Sequence, residues 1–383
     1  MPKILPLQFY LPKNPKRQVI KSVETFSEEE KKAVLQKHPN SFLHVISAGV
    51  DLHSNVERNR AIRQKWESFL QTKQYSSLKK NTILYYSITD EKHVFDGFLC
   101  GIALEDFISR RVTKHEDTIY PRVEMMSEYL KTVNIQTEPV MVVHEDINDI
   151  IRLEDEIPKS TPPLMSFTIE KKTHALWLLN DHQEKEFIKI SQQVNHFHLA
   201  DGHHRSACVE MIQNTKTKGN PLSVYSFLIG KKKLQNKSFF WYLKKLSNAI
   251  DSKKILRIIQ DLKGQIVPID NKLSEEYPLL IALNKTTYAI PKASIQVETI
   301  PDFICQAFFY ENNSFLKELN FWPQEKESSF VELSEYTSFD LAFSMYPISL
   351  NKLFELALNN NKLPPKSTYL LPKLLTGLAI TSL

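Results

Sequence analysis

Apolar residues recur every three to four positions in several long segments of the chain, as on the buried face of a helix. The clearest case is 55–72, where Val56, Ile62, Trp66 and Leu70 are separated by charged residues. Ser27 followed by Glu28, Glu29 and Glu30 is a typical helix start, because a serine cap and an acidic first turn stabilise the helix N-terminus. Further helices are predicted over 122–133, 183–193, 203–213, 253–263 and 350–360.

Shorter apolar or alternating runs between these segments predict β-strands. They cover 42–47, 81–89, 98–104, 139–144, 174–179, 197–200, 223–229, 286–290, 341–345 and, last, 374–380. Because helices and strands are interspersed along the whole chain, we expect an α/β (α+β) fold with mixed sheets flanked by helices.

The chain of 383 residues is too long for one ordinary hydrophobic core, so we expect two lobes. Residues 155–163 contain three prolines and few large apolar side chains, which favours a boundary there. We therefore predict an N-terminal α/β lobe over 1–158, opened by a basic arm at 1–20, and a C-terminal α/β lobe over 159–383.

Composition excludes several classes of protein. With 49 Lys and Arg against 44 Asp and Glu, the net charge of +5 is mild, and nucleic acid is not an expected partner. The run Lys231–Lys233 is interpreted as a solvated turn.

Three distant cysteines without a Cys-x-x-Cys pair indicate neither a zinc knuckle nor a disulfide framework. No apolar stretch has the length of a signal peptide core or a membrane span, so we expect a cytoplasmic protein without membrane contact. The sequence does not indicate an oligomeric state.

The most distinctive chemistry lies at the junction of the strand 197–200 and the helix 203–213. Gly202 permits a turn that other residues would strain. The helix start behind it offers backbone N–H groups and a positive dipole end, which favour an anion. His203, His204 and Arg205 add donors at the same place, and Asp201 could hold Mg²⁺ or accept a proton. We interpret the junction as a phosphate-binding corner.

Two other interpretations of this junction stay open. Asp201 could simply cap the helix in an Asx turn, with the histidines satisfied locally. Alternatively, His196, His198, His203 and His204 could ligate Zn²⁺ or Fe²⁺, since a His-x-His pair on a strand puts both rings on one face. Neither His-Glu-x-x-His nor a two-histidine, one-carboxylate spacing is present, which speaks against the metal.

Two more polar clusters could serve the same chemistry. The first is a loop with a cation, an imidazole and two carboxylates: Lys114, His115, Glu116 and Asp117. The second is Lys366, Ser367 and Thr368, stiffened by preceding prolines, together with Lys373. Taken alone, each cluster could equally be a solvated turn or an ordinary basic tail.

These segments carry a family resemblance. The chain resembles the bacterial and archaeal proteins grouped as domain of unknown function 1015. The resemblance rests on the segments 40–45, 114–118, 200–205 and 364–369 and on Pro372-Lys373 with Gly377-Leu378, in the order of that family. The chain departs from the family at 22–26, where Pro-Pro-Tyr-Asp is usual, and at 235–240, where Thr-His-Arg is usual.

A more distant similarity adds chemistry. Gly202-His203-His204-Arg205 looks like the Gly-x-x-Arg phosphate-binding loop of the ParB/sulfiredoxin-type fold. Some relatives with that fold bind nucleotides, and some phosphorylate free serine. The resemblance implies ATP or ADP with Mg²⁺ as cofactors. Sulfiredoxins use a cysteine in this loop, where this chain has His203, so thiol chemistry is not implied.

We therefore predict a nucleotide-dependent phosphotransferase acting on a small hydroxylated metabolite, with free serine or phosphoserine as the favoured substrate. Asp201, His203, His204, Arg205, Glu116 and Asp117 would be catalytic, with Asp201 also the Mg²⁺ ligand. Phosphate would be bound by Gly202, Lys114, His115, Lys366, Ser367, Thr368 and Lys373. The alternatives are a non-catalytic nucleotide or phosphometabolite sensor and a phosphoester hydrolase. All three require the three clusters to converge.

Overall fold

The computed structural model describes residues 1–215, 222–246, 252–309, 319–324 and 329–383. Two compact units are present. Unit 1 comprises 1–114, 118–234 and 372–383, and unit 2 comprises 115–117 and 235–371. This division differs from the boundary predicted at 158/159.

The expected linker at 155–163 lies inside unit 1, and most of it belongs to a helix, Asn148–Ser160. Ile150, Leu153 and Ile157 lie on the buried side of this helix at the expected spacing. Pro158 is tolerated near the end of the helix, so the prolines did not indicate a linker.

Unit 1 contains a nine-stranded mixed sheet and a four-stranded antiparallel sheet. Its strands are β1 Ile4–Leu5, β2 Phe9–Pro12, β3 Tyr75–Ser77, β4 Leu84–Thr89, β5 Val94–Ala103, β6 Val112–Lys114, β7 Ile135–Gln136, β8 Val140–His144, β9 Met165–Ile169, β10 Lys172–Leu178, β11 Phe197–Asp201, β12 Ser223–Gly230 and, from the C-terminal segment, β21 Ile380–Ser382.

The helices of unit 1 flank these sheets. They are α1 Pro15–Gln18, α2 Glu28–Lys37, α3 Leu43–Ile46, α4 Asn55–Gln71, α5 Leu104–Ile108, α6 Tyr120–Val133, α7 Asn148–Ser160, α8 Asp181–Ser191 and α9 His203–Thr215, with short 3₁₀ helices at Val23–Thr25 and Lys231–Lys233.

The large sheet runs in the order β6-β11-β8-β12-β5-β4-β10-β9, and β1 pairs with β5. Its strands are rich in buried aliphatic and aromatic residues, and the helices cover them with a shared core that includes Phe98, Phe187 and Phe197. At one end of the order, β11 pairs in parallel with β6 and antiparallel with β8. This pairing brings residues distant in sequence next to the turn at Asp201.

The four-stranded sheet has the order β3-β2-β21-β7, so the C-terminal strand lies between β2 and β7. Ile380 is fully buried there with Phe42, Trp66 and Tyr75. The prediction of a basic arm at residues 1–20 is therefore wrong. Ile4, Phe9 and Leu11 of this segment are buried in the strands β1 and β2. The predicted last strand over 374–380 is also corrected, since the strand begins at Ile380.

One further local prediction is wrong. The segment 42–47 forms the short helix α3 and not a strand. A short apolar run buries equally well in either form, so periodicity does not separate the two.

Unit 2 is built on a six-stranded antiparallel sheet with the order β15-β17-β16-β19-β14-β18, and β13 pairs with β20. The strands are β13 Gln235–Lys237, β14 Phe239–Leu243, β15 Gln265–Val267, β16 Leu279–Leu283, β17 Thr286–Ile290, β18 Asn320–Pro323, β19 Leu341–Met345 and β20 Tyr369–Leu371. The helices are α10 Ser252–Asp261, α11 Ile300–Phe309, α12 Phe330–Tyr336 and α13 Leu350–Leu358, with 3₁₀ helices at Lys292–Ser294 and Val297–Thr299.

The predicted α/β class with mixed sheets flanked by helices is confirmed. Both faces of the unit 2 sheet carry apolar clusters, one around Trp241 and Phe343 and one around Phe240 and Phe330. Within the described residues, no helix combines the length and the apolar character needed to cross a membrane.

Candidate functional site

The turn between β11 and α9 is the centre of the candidate site. Gly202 has φ +93°, a conformation that L side chains rarely adopt. A Cβ atom at this position would lie 2.7 Å from Val140 Cγ1 and 2.9 Å from Arg205 Nε. The helix starts at once, with the Ser206 N–H donating to the Gly202 carbonyl oxygen at 3.0 Å. Glycine is therefore required both by the turn and by the close approach of Arg205.

Asp201 accepts hydrogen bonds from two cations. Lys373 Nζ lies 3.0 Å from Oδ1, and Arg205 Nη2 lies 2.8 Å from Oδ2. Burial alone would raise the pKa of Asp201, but Lys373 and Arg205 outweigh burial and hold the pKa well below its usual range. The carboxylate therefore stays ionised and orients both cations.

Arg205 has a second carboxylate partner, which the sequence reasoning missed. Its Nη1 contacts Glu138 Oε1, and Glu138 Oε2 accepts a hydrogen bond from Thr376 Oγ1 at 2.8 Å. Glu138 and Thr376 come from segments far from Asp201 in sequence, and no local motif marks them. Together these groups fix the guanidinium at the helix start.

Lys114 is brought to the site by strand pairing. It lies opposite Leu199 in the parallel β6–β11 ladder, and its Nζ contacts Glu210 Oε1 on α9. Lys114, Lys373 and the 201–205 turn therefore all belong to unit 1, and their action at one site stays a prediction. Glu210 was not predicted.

Helices α6 and α9 run side by side in the same direction. The Ile119 N–H donates to His204 Nε2 at 3.0 Å, and one turn further on Cys208 Sγ lies 3.5 Å from the Val123 carbonyl oxygen. Because these contacts advance along both helices together, the two N-termini and their positive dipole ends lie together.

The first turns of both helices carry basic residues where acidic ones would be favourable. Arg122 lies in the first turn of α6, and His203, His204 and Arg205 open α9. Neither of these described turns contains an acidic residue. Cations at the positive end of a helix are unfavourable for the helix itself, so the arrangement favours a bound anion.

The remaining predicted residues belong to unit 2. His115 is buried and its Nε2 lies 3.2 Å from Thr368 Oγ1, while Ser367 Oγ donates to the Pro364 carbonyl oxygen at 2.7 Å. Glu116 forms a β-bridge with Leu363.

Charged side chains of the same two segments have local partners as well. Asp117 Oδ1 pairs with Lys362 Nζ at 2.9 Å, and Lys366 Nζ lies 5.5 Å from the centre of the Phe239 ring. The structure thus brings 115–117 and 363–368 together as one local arrangement, whereas Lys114 and Lys373 belong to unit 1.

The alternative of a histidine metal site gains no support. His198 is buried, its Nδ1 lies 2.7 Å from Thr113 Oγ1, and burial lowers its pKa to about 4. His196 is exposed. Among the described residues, no group of three or more His, Cys, Asp or Glu side chains could hold a metal ion.

The predicted role of Asp201 as a Mg²⁺ ligand stays a prediction. Each of its carboxylate oxygens already accepts from a cation, Lys373 or Arg205. Asp201 is therefore an acceptor in an ion-pair network.

The run Lys231–Lys233 is tied to carboxylates in unit 1. Lys231 Nζ lies 2.7 Å from Glu145 Oε1, and Lys233 contacts both Asp96 and Glu154. These lysines act as local ion-pair partners.

A sequence profile of one protein family, described as "Protein of unknown function (DUF1015)", matches residues 11–229. Since this is more than half of the chain, the protein belongs to that family. Curated protein sequences give no match.

Solved structures with a similar course of the backbone include SbnI from Staphylococcus aureus, truncated at its C-terminus. It has 9% identity and a TM-score of 0.41 over 71% of this chain and 82% of that one. A mutant free serine kinase in complex with ADP has 12% identity and a TM-score of 0.41, covering 77% and 92%. A conserved hypothetical protein from Pyrococcus furiosus has 13% identity and a TM-score of 0.40, covering 71% and 90%. Likeness at this level does not transfer an activity.

Proposed function

We propose that this protein is a nucleotide-dependent phosphotransferase that acts on a small hydroxylated metabolite. The observation that carries the proposal is the pair of parallel helix N-termini, α6 and α9, whose first turns hold Arg122 and His203–Arg205 and no carboxylate. Such an end binds a phosphate group through backbone N–H groups, dipoles and side-chain cations.

Each group at the turn has a defined role in this proposal. The backbone after Gly202 and the guanidinium of Arg205 hold the transferring phosphate. Lys373, oriented by Asp201 at 3.0 Å, offsets the charge that develops on the phosphate oxygens. Lys114 adds a further cation beside α9. Asp201 itself is a poor general base, because its pKa is held low by the same cations.

The reaction is a displacement at phosphorus. The hydroxyl oxygen of the acceptor forms a bond to the terminal phosphorus of the nucleotide, and the bond from that phosphorus to the bridging oxygen breaks. The acceptor proton passes to a carboxylate, a role that stays a prediction for Glu116 or Asp117. Free serine is the favoured acceptor, and phosphoserine the favoured donor in the reverse direction.

Phosphorus NMR tests the proposal. The purified chain is incubated with Mg²⁺ and either ATP or ADP, together with free serine or phosphoserine. We expect a new phosphoester signal, or the loss of one, that Arg205→Ala abolishes. Arg63→Ala is the matched control, because Arg63 is half-exposed on α4, where its Nε pairs with Glu67 Oε1 at 3.0 Å. Full turnover in Arg205→Ala would overturn the assigned role.

A regulatory sensor is the second candidate, and the ion pairs at the turn favour it. Arg205 contacts Glu138 and Asp201, Lys373 contacts Asp201, and Lys114 contacts Glu210. An anion that displaced these carboxylates would rearrange the turn without any chemistry. A sensor predicts nucleotide-dependent line broadening without turnover in the same experiment, whereas a hydrolase predicts release of inorganic phosphate without an acceptor.

A further inference from the structure

Two large apolar side chains are exposed directly beside the turn at Gly202. Tyr120 has 65% of its surface exposed and Ile119 has 43%. Their backbone lies beside the start of α9, because the Ile119 N–H donates to His204 Nε2 at 3.0 Å. The N-cap residue of α6, which Tyr120 directly follows, is therefore next to the second residue of α9, inside unit 1.

The exposure of Tyr120 contrasts with the rest of α6. Val123, Ser127, Leu130 and Val133 are buried and attach the helix to the core. An exposed aromatic ring gains nothing from folding, and single exposed apolar residues are common on protein surfaces. Here, however, two of them adjoin a basic corner that is suited to phosphate, so an apolar surface and a phosphate site lie side by side.

A nucleotide combines those two chemistries in one molecule, since a flat heterocyclic base is joined through a ribose to a chain of phosphates. We propose that Tyr120 is the stacking surface for the base of the bound nucleotide and that Ile119 extends this surface. This inference rests on the proposed function and deepens it, because it assigns the residues that hold the base of the nucleotide. Base–aromatic stacking tolerates any base, so it predicts weak discrimination between bases.

The test compares two ligands that differ only in whether a nucleoside is present. Titration calorimetry of the full chain is carried out with ADP and with inorganic tripolyphosphate. Tyr120→Ala should weaken ADP binding about tenfold, within the range of one lost base–aromatic stack, and leave tripolyphosphate binding unchanged. Tyr120→Phe should bind both ligands like the natural chain, because the ring and not the hydroxyl makes the contact.

Met125→Ala is the matched control, because Met125 is also exposed on α6, at 53%, but lies beyond the first turn. It should change neither affinity. Unchanged ADP affinity in Tyr120→Ala, or an equal loss for both ligands, would overturn the stacking role.

Failure of the proposed function gives a different result. In that case the phosphorus NMR experiment shows no turnover, whatever the effect of Tyr120→Ala on ADP binding. A stacking failure alone would leave the dependence on Arg205 in place. An ADP titration without any heat of binding, confirmed by equilibrium dialysis, would overturn both.

Discussion

At the scale of single residues, Gly202 combines two constraints, a positive φ and the close approach of Arg205. We expect Gly202→Ala to lower the free energy of unfolding by about 1–3 kcal/mol, since a strained backbone conformation has a cost of that order. The added Cβ would also push the Arg205 guanidinium, so phosphate binding should be lost. Denaturant unfolding and phosphate titration measure the two effects.

Gly230→Ala provides the comparison for this variant. Gly230 ends β12, and a Cβ there would first meet Asp146 Oδ1, the end of a side chain that can move. Its substitution should therefore have the smaller effect on unfolding and leave phosphate binding intact. Equal effects of the two substitutions on unfolding and on phosphate binding would contradict a specific requirement for glycine at position 202.

Lys373 is one of the two cations that keep Asp201 ionised. Lys373→Met should raise the pKa of Asp201. Burial still disfavours the ionised carboxylate in this variant, and Arg205 is the main cation that remains to stabilise it. A carbon NMR titration of the carboxyl group measures this directly. Lys231→Met, which removes the partner of Glu145 instead, should leave that pKa unchanged. An unshifted Asp201 in Lys373→Met would contradict the ion-pair network.

The part of the site that the sequence predicted is the part built from neighbours along the chain. Asp201 to Arg205 form a turn and a helix start, which local rules describe. Glu138, Glu210 and Thr376 could not be predicted, because they reach the turn only through strand pairing and helix packing. Lys373 likewise reaches Asp201 only through the fold, and the Mg²⁺ role of Asp201 stays a prediction.

At the scale of elements, three strands of the large sheet carry buried histidines, His144 on β8 among them, and two of these histidines have strongly lowered pKa values. These two are His174 on β10, whose Nδ1 lies 2.7 Å from the Tyr86 hydroxyl oxygen, and His198 on β11. Burial lowers the pKa of each to about 4 from 6.5. The unfolded chain therefore takes up protons first, and stability falls as the pH drops from about 6.5 to 4.

This loss should reach about 3 kcal/mol for each histidine at the acidic end, from the size of the pKa change. His174→Gln should reduce the fall in unfolding free energy over that pH range, because the amide cannot be protonated. The measurement is denaturant unfolding at a series of pH values. His182→Gln, at a histidine that is 86% exposed, should keep the full acid-induced loss.

Several elements were predicted with the correct bounds or nearly so. Residues 286–290 and 341–345 are strands with the predicted bounds, and α4 differs from its prediction by one residue. Failures came from short or proline-containing segments. The run 42–47 is too short for its apolar pattern to distinguish a helix from a strand. In α7 the prolines of 155–163 were interpreted as a linker, although Ile150, Leu153 and Ile157 have helical spacing.

At the scale of the whole molecule, unit 1 includes residues from both ends of the sequence. Ile380 is fully buried in β21, between β2 and β7. Ile380→Ala should lower the free energy of unfolding by about 2–5 kcal/mol, as for other buried aliphatic side chains. Ser382→Ala, at an exposed position of the same strand, should change it little. Similar unfolding curves for the two variants would contradict a core role for β21.

The division into units could not be read from the sequence because unit 1 is discontinuous. Contacts between β21 and the strands β2 and β7 span most of the chain, and no local composition change marks 234/235 or 371/372. Periodicity and proline content describe neighbours along the chain, so they suggest boundaries only where a domain is one continuous segment.

The return of residues 372–383 to unit 1 has a consequence for synthesis on the ribosome. The chain is made from its N-terminus, so residues 235–371 leave the exit tunnel before Lys373 and β21 do. Until then β2 and β7 lack their shared neighbour, and Asp201 lacks one of its two cations. A chain that stops before residue 373 therefore lacks both the Lys373 contact to Asp201 and the strand between β2 and β7.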